Sequence, residues 1–316
     1  MAGSARRPRQ DVARQPEGSH EGAVIAHRRV RIPVTCTGNG LTFHVAQAGP
    51  QEGRLLILLH GFPEFWYGWN SQIPALAAAG YRVWAPDQRG YNLSDKPEGV
   101  SSYAIDHLAR DVIGLIRAAG QESAVVIGHD WGAMVAWRVA ERYPTCVDKL
   151  VVMNVPHPDV MAGNLRHNPR QLLRSWYALF FQMPRIPEQL LRLHNWHLAT
   201  DTLRRSSRPG TFSAQDLDRY RQAWSQPGAM TSMINWYRAS RFLNAPAWNG
   251  RIRVPTLLLW GAQDRFLGSE MAQPSIDRCD RGSLILYPEA THWLHHEIPD
   301  KVNRAIMGFV GDQVES

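Results

Sequence analysis

Cysteine is scarce in this chain: Cys36, Cys146 and Cys279 are the only three in 316 residues. They lie far apart, which excludes a disulfide framework or a cysteine-based zinc cluster and fits a reducing compartment, so a cytoplasmic location is expected. Lysine is equally rare (Lys96, Lys149 and Lys301), so nearly all of the 35 basic residues are arginine. Long hydrophobic runs are missing too. Stretches such as LLILL at 55–59 fall far short of the ~18–20 apolar residues a membrane-spanning helix needs. The segment MAGSARRPRQDVARQPEGSHEG has no apolar core of the kind a secretory or twin-arginine signal requires, and residues 1–22 read as a disordered, arginine-rich leader. No H-E-x-x-H spacing points to zinc, and no internal repeat is evident. The net charge of +7 comes without a basic–aromatic motif. It is spread over the leader and over 161–210 as a solvated surface, which speaks against nucleic acid as a partner.

What the chain does contain is a regular alternation. Strand-like stretches recur at 40–46 (GLTFHVA), 54–59 (RLLILL), 81–85 (YRVWA), 123–127 (SAVVI), 147–153 (VDKLVVM), 254–260 (VPTLLLW) and 283–287 (SLILY). Several are continuous apolar runs, as strands buried on both faces of a parallel sheet require. Helical periodicity separates them at 102–117, 131–143 (ended by Pro144) and 297–310. The alternation predicts an open α/β sheet with helices on both faces. Its rhythm breaks from His157 to about Trp248, a span with only helical signals. The expected organisation is therefore a core of 23–156 and 249–316 with an inserted helical cap at 157–248. Such a layer belongs over the carboxyl ends of the strands, where open α/β sheets bind ligands.

Four short stretches carry chemistry. Strand SAVVI runs into Gly128-His129-Asp130-Trp131-Gly132 and then a helix, the strand–turn–helix context of a nucleophile elbow, with aspartate at the apex. Gly128 and Gly132 allow the close approach that such a turn needs, and the N–H of Trp131 points with the helix's positive end towards the apex. Taken alone, the motif fits an aspartate capping a helix equally well. Strand LLILL ends in His60-Gly61-Phe62-Pro63-Glu64, at the loop where α/β-hydrolases place a second oxyanion-hole N–H, here that of Phe62. A Gly-Pro turn of no special function would read the same, and Pro63 is a candidate for a cis bond. Asp264 follows strand TLLLW and His292 follows SLILY, in the chain order nucleophile, acid, histidine. The other acid position of such folds, after VDKLVVM, holds Asn154. Of the 13 histidines, His129 reads as packing and His295 and His296 as a helix start.

With these motifs in place, the chain resembles epoxide hydrolases of the α/β-hydrolase fold over about 25–313. The resemblance rests on HGFPE at 60–64, DQRGYNLSD at 87–95, GHDWGA at 128–133, SWYALFFQMP at 175–184 and NWYR at 235–238. It implies a mostly parallel sheet with a helical cap, and two cap tyrosines, Tyr177 and Tyr237, that hydrogen-bond the epoxide oxygen. Read bottom-up, a tyrosine in an apolar cap is an ordinary packing residue. The resemblance also implies no metal or organic cofactor. The partners expected are a small-molecule epoxide and water, in a monomer or homodimer.

The chemistry explains the aspartate. An epoxide carbon is sp³; a serine attacking it would leave an ether that water and histidine cannot cleave, whereas a carboxylate leaves an ester that they can. Aspartate is ionised at neutral pH and needs no base for the attack. The expected mechanism has Asp130 open the ring against Tyr177 and Tyr237, after which His292, oriented by Asp264, activates water against the ester. Phe62 and Trp131 supply the oxyanion-hole N–H groups. Apolar cap residues predict an apolar substrate, with Phe62, Trp131, Trp176, Phe180 and Trp236 as candidate contacts. The alternatives are a haloalkane dehalogenase with the same Asp/His/Asp set, a fluoroacetate dehalogenase, and a non-enzymatic binder. Phe62 lacks the side-chain donor a halide site wants, and Trp131 stands where a fluoroacetate enzyme would place arginine.

Overall fold

The structure, a computed structural model, describes residues 24–32, 40–240, 248 and 250–311. The leader at 1–22 and Cys36 lie outside the described residues. Among the described residues eight strands form one sheet: β1 (Ala26–Ile32), β2 (Leu41–Ala48), β3 (Leu55–Leu59), β4 (Arg82–Pro86), β5 (Ala124–His129), β6 (Val147–Met153), β7 (Thr256–Gly261) and β8 (Gly282–Tyr287). Their order is β1-β2-β4-β3-β5-β6-β7-β8. The pairings β1–β2 and β2–β4 are antiparallel, and all others are parallel.

The continuous apolar strands are the central ones. Every residue of β3, β5 and β7 is buried, because helices cover both faces. Alternate residues divide between two layers. Ile57, Val126, Val152 and Leu258 pack with α2 (Ile105–Ala118) and α3 (Trp131–Arg142), while Leu58, Ile127, Val151 and Leu257 pack with α1 (Gln72–Ala78) and the C-terminal helix. Strand β1 escaped the sequence reading. As AHRRVRI on the sheet's edge it buries only Ile32, and its arginines blunt an otherwise pairable edge.

Among the described residues, six helices lie between β6 and β7: α4 (Pro158–His167), α5 (Pro169–Arg174), α6 (Trp176–Phe180), α7 (Ile186–Ser206), α8 (Ala214–Trp224) and α9 (Ala229–Ala239). They form the helical cap of an α/β-hydrolase fold. Helix α7 is broken at Leu193–Trp196, where His194, Asn195 and Trp196 take positive φ. Hydrogen bonds pin the cap to the loop after β3: Tyr220 donates to Glu64 at 2.6 Å, and the Trp224 indole donates to the Pro63 carbonyl. The chain closes with α10 (Ala272–Ile276), α11 (Leu294–Glu297) and α12 (Pro299–Gly311). Among the described residues no helix is long and apolar enough to cross a membrane.

Register decides where the site falls. Leu59 pairs with Gly128, Gly128 with Val152, and Val152 with Leu258. The carboxyl ends of β3, β5, β6 and β7 therefore stop at one level, and their next residues emerge together under the cap.

Candidate active site

Asp130 is the first residue beyond β5 and precedes α3, with φ 49° and ψ −123°. A non-glycine residue held there stores roughly 1–3 kcal/mol of backbone strain, which the neighbouring contacts must hold in place. Two glycines permit the turn. A Cβ on Gly128 would stand 2.5 Å from the Gly132 carbonyl oxygen, and one on Gly132 would collide with the Leu59 carbonyl.

The carboxylate is gripped from the β3 loop, where the Phe62 N–H donates to Asp130 Oδ1 at 2.7 Å. The Phe62–Pro63 bond is cis. His60 braces this loop: its Nε2 accepts from the Gln88 N–H at 3.0 Å, and its own carbonyl accepts from the Gln88 side chain at 2.5 Å. Among the described residues no hydrogen bond runs from the Trp131 N–H to Asp130, so only one of the two expected oxyanion donors is seated on the carboxylate. The Trp131 ring packs edge-on against Tyr237, with the ring centres 4.9 Å apart.

His292 stands on the other side. Its Nδ1 lies 2.7 Å from Asp264 Oδ2, and its Nε2 lies 3.5 Å from Asp130 Oδ2. Burial opposes its charge, but Asp264 and Asp130 together outweigh burial and raise its pKa to about 10. Burial likewise opposes ionisation of Asp130, but His292, His129 and the Phe62 N–H more than compensate, and its pKa is lowered. Asp264 is held from three sides: Oδ1 accepts from the Phe266 and Leu267 N–H groups at 2.7 and 3.0 Å, and Oδ2 accepts from Asn154 Nδ2 at 2.7 Å. Asn154 is itself fixed, since its Oδ1 accepts from the Gly261 N–H at 2.8 Å. The position that carries the acid in other proteins of this architecture here steadies the acid supplied by β7.

A second buried cluster backs the first. Glu64, from the same β3 loop, accepts from His296 Nε2 at 2.7 Å and from His295 Nε2 at 3.2 Å. His129 Nδ1 stands 3.3 Å from Glu64, and its Nε2 donates to the His292 carbonyl at 2.9 Å. His129, expected only to pack, thus ties the elbow to the histidine loop. Glu64, His129 and His295 are the described residues whose metal-ligating atoms gather within 4.8 Å, and hydrogen bonds with Tyr220 and His296 already engage Glu64.

A cavity of about 330 Å³ opens over Asp130. Trp131, Tyr177 and Tyr237 line it beside Asp130, and Met134, Val155, Met161, Leu165 and Leu267 give it apolar walls. The two tyrosine rings lie 6.0 Å apart, centre to centre. Burial, and then the charge of Asp130, raises the pKa of both hydroxyls well above the usual phenol value, so both remain proton donors. Four expected contacts, Trp176, Phe180, Trp236 and Phe62, fall elsewhere. Trp176 is exposed, its ring tilted 6.0 Å from that of Phe180 one helical turn on; Phe180 is half-buried against the core outside the cavity, while Tyr177 and Ala178 line it. Trp236 is buried behind the site, where its indole donates to the Arg89 carbonyl at 3.0 Å. The Phe62 ring packs edge-on against Tyr237 and Phe181 and does not line the cavity. The walls come instead from α4 and the β6 and β7 loops, whose apolar residues had no spacing that distinguished them from core.

The α/β-hydrolase fold family matches residues 54–299. Epoxide hydrolase 4 of Mus musculus is 38% identical over 307 residues, covering 95% of this chain and 84% of that protein. The chain belongs to the epoxide hydrolase family of the α/β-hydrolase fold. An AB hydrolase superfamily protein of Bacillus subtilis, YfhM, is 49% identical over 275 residues, covering 87% of this chain and 96% of that protein. The crystal structure of the Bacillus megaterium epoxide hydrolase in complex with an inhibitor superposes with a TM-score of 0.81 at 30% identity, covering 90% of this chain and 100% of that one. Membership makes the protein a hydrolase, and it bears out the fold and resemblance read from the motifs.

Proposed function

We propose that this enzyme opens apolar epoxides to vicinal diols through an ester on Asp130. One observation carries the reading: a single apolar cavity is lined by an ionised Asp130 and by two proton-donating tyrosines, Tyr177 and Tyr237. Asp130 Oδ2 attacks a ring carbon while a tyrosine hydroxyl gives its hydrogen to the leaving oxygen. Oδ1 stays on the Phe62 N–H, already in place to stabilise the oxyanion of the second half.

The proton count closes around His292. At neutral pH its raised pKa makes it an imidazolium beside the Asp130 carboxylate. Ester formation removes the Asp130 charge that helped hold the proton, and that proton replaces the one the tyrosine gave to the alkoxide. The neutral imidazole, still oriented by Asp264, then takes a proton from water as the hydroxide oxygen attacks the ester carbonyl. Collapse of the tetrahedral intermediate releases the diol and restores the carboxylate–imidazolium pair. One water is consumed, and no redox partner is involved.

Incubation with styrene oxide and with 1-bromobutane tests the reading. Diol without bromide release is the expected result, and bromide release without diol would select a haloalkane dehalogenase. Single turnover in H₂¹⁸O should leave the label in the Asp130 peptide; label confined to the diol would overturn the ester.

A further inference from the structure

We infer that the outer face of the cap, from α5 through the first half of α7, docks on an anionic lipid bilayer. Nine of the fourteen exposed large hydrophobic side chains among the described residues fall within 172–198. Leu172 and Leu173 on α5, Trp176 and Leu179 on α6, Met183 in the turn after it, and Ile186 and Leu190 on α7 succeed one another along this stretch, with Leu193 at the break of α7. Their side chains are turned towards solvent instead of towards the core. Leu173 is 74% exposed and Leu179 66%, more than isolated surface leucines in an otherwise packed chain would account for.

Charge selects the occupant. Over 160–200 the chain carries Arg166, Arg170, Arg174, Arg185 and Arg192, all exposed and none in an ion pair among the described residues. The one carboxylate in that span, Glu188, is buried and paired with Arg238 at 2.7 Å. Exposed leucine and tryptophan interleaved with unpaired arginine is the composition of a surface that inserts shallowly among anionic headgroups. A second copy is a poor occupant, since apposing two such faces would bring ten arginines together without a carboxylate to balance them.

The cavity opens on this face. Arg166, Leu172 and Leu179 belong both to its lining and to the exposed surface. An apolar molecule dissolved in the bilayer would therefore enter without crossing bulk water. This route rests on the reaction proposed above; the docking itself does not.

Flotation of the full chain with phosphatidylcholine vesicles, with and without phosphatidylglycerol, tests the inference. The protein should float with the anionic vesicles, remain unbound with the neutral ones, and be released by high salt. The triple variant Leu173→Ser/Leu190→Ser/Leu193→Ser should lose flotation. Arg170→Glu/Arg174→Glu should partition about thirtyfold or more weakly, since each arginine near an anionic surface contributes several-fold. Both variants should keep the wild-type melting temperature and turnover of styrene oxide, a substrate presented in solution. Three outcomes overturn the proposal: wild type that does not float, variants that float like wild type (placing the binding on the arginine-rich leader), or a wild-type dimer in solution that the leucine variant dissociates. A wild type inert to styrene oxide that still floats would sink only the reaction.

Discussion

His292 Nε2 lies 3.5 Å from Asp130 Oδ2, while its Nδ1 sits 2.7 Å from Asp264 Oδ2. The short contact is a hydrogen bond that fixes the ring. The longer one is an electrostatic pairing that an ester on Asp130 would switch off. Removing the Asp130 charge by Asp130→Asn should lower the His292 pKa from its raised value of about 10, read by ¹⁵N NMR titration of the imidazole. An unchanged pKa would place the whole shift on Asp264. Turnover should be abolished in Asp130→Ala.

The same shift predicts how stability depends on pH. A histidine raised from 6.5 to about 10 in the folded protein contributes its full stabilisation below pH 6.5 and loses it as pH rises through about 10. Melting temperature should fall across that window, and less so in His292→Gln. Equal slopes in the two proteins would show that other groups dominate.

His292→Gln should separate the two halves of the reaction. Asp130 retains its carboxylate and its Phe62 partner, so ring opening should proceed while ester hydrolysis stalls. Intact-protein mass spectrometry should then show the added mass of one epoxide; an unmodified variant would contradict the order of steps.

Tyr177→Phe and Tyr237→Phe each remove one hydroxyl donor from the lining of the cavity over Asp130. Losing a preorganised donor of this kind costs about 10²–10³ in kcat, and the double variant should be inactive. Near-wild-type kcat in both single variants would reduce the tyrosines to cavity lining. Both rings pack against neighbouring aromatics, so thermal melts should show the variants folded.

Asn154→Ala leaves Asp264 Oδ2 with one hydrogen bond fewer. An interaction with a buried charged group is worth about 1–3 kcal/mol, so kcat should drop about tenfold or more with KM little changed. A purely structural role would lower the melting temperature and spare the His292 pKa.

Gly132→Val should prevent folding outright, because even a Cβ at this position collides with the Leu59 carbonyl. Soluble, cooperatively melting protein would show that the elbow tolerates a wider separation of strand and helix.

Some of this was legible in one dimension because the physics there is local. Runs such as LLILL must be buried on both faces, and a Gly-x-Asp-x-Gly turn between strand and helix can present only its central side chain. Chain order then carried Asp264 and His292. The edge strand at Ala26–Ile32 was invisible because an edge buries little and its arginines mask the alternation. The cavity walls were beyond reach for a different reason. Whether Tyr177 or its neighbour Trp176 faces Asp130 depends on how the short α6 is rotated against α9 and the β7 loop, a matter of packing between segments far apart in the chain. The same holds for His129 and Glu64, whose pairing behind His292 exists only because register brings the ends of β3 and β5 to one level. The amino-acid sequence determined which atoms are available for the chemistry; tertiary packing decided which of them meet, because hydrogen bonds and charges act over a few ångströms and residues more than a hundred positions apart reach that distance only in the fold.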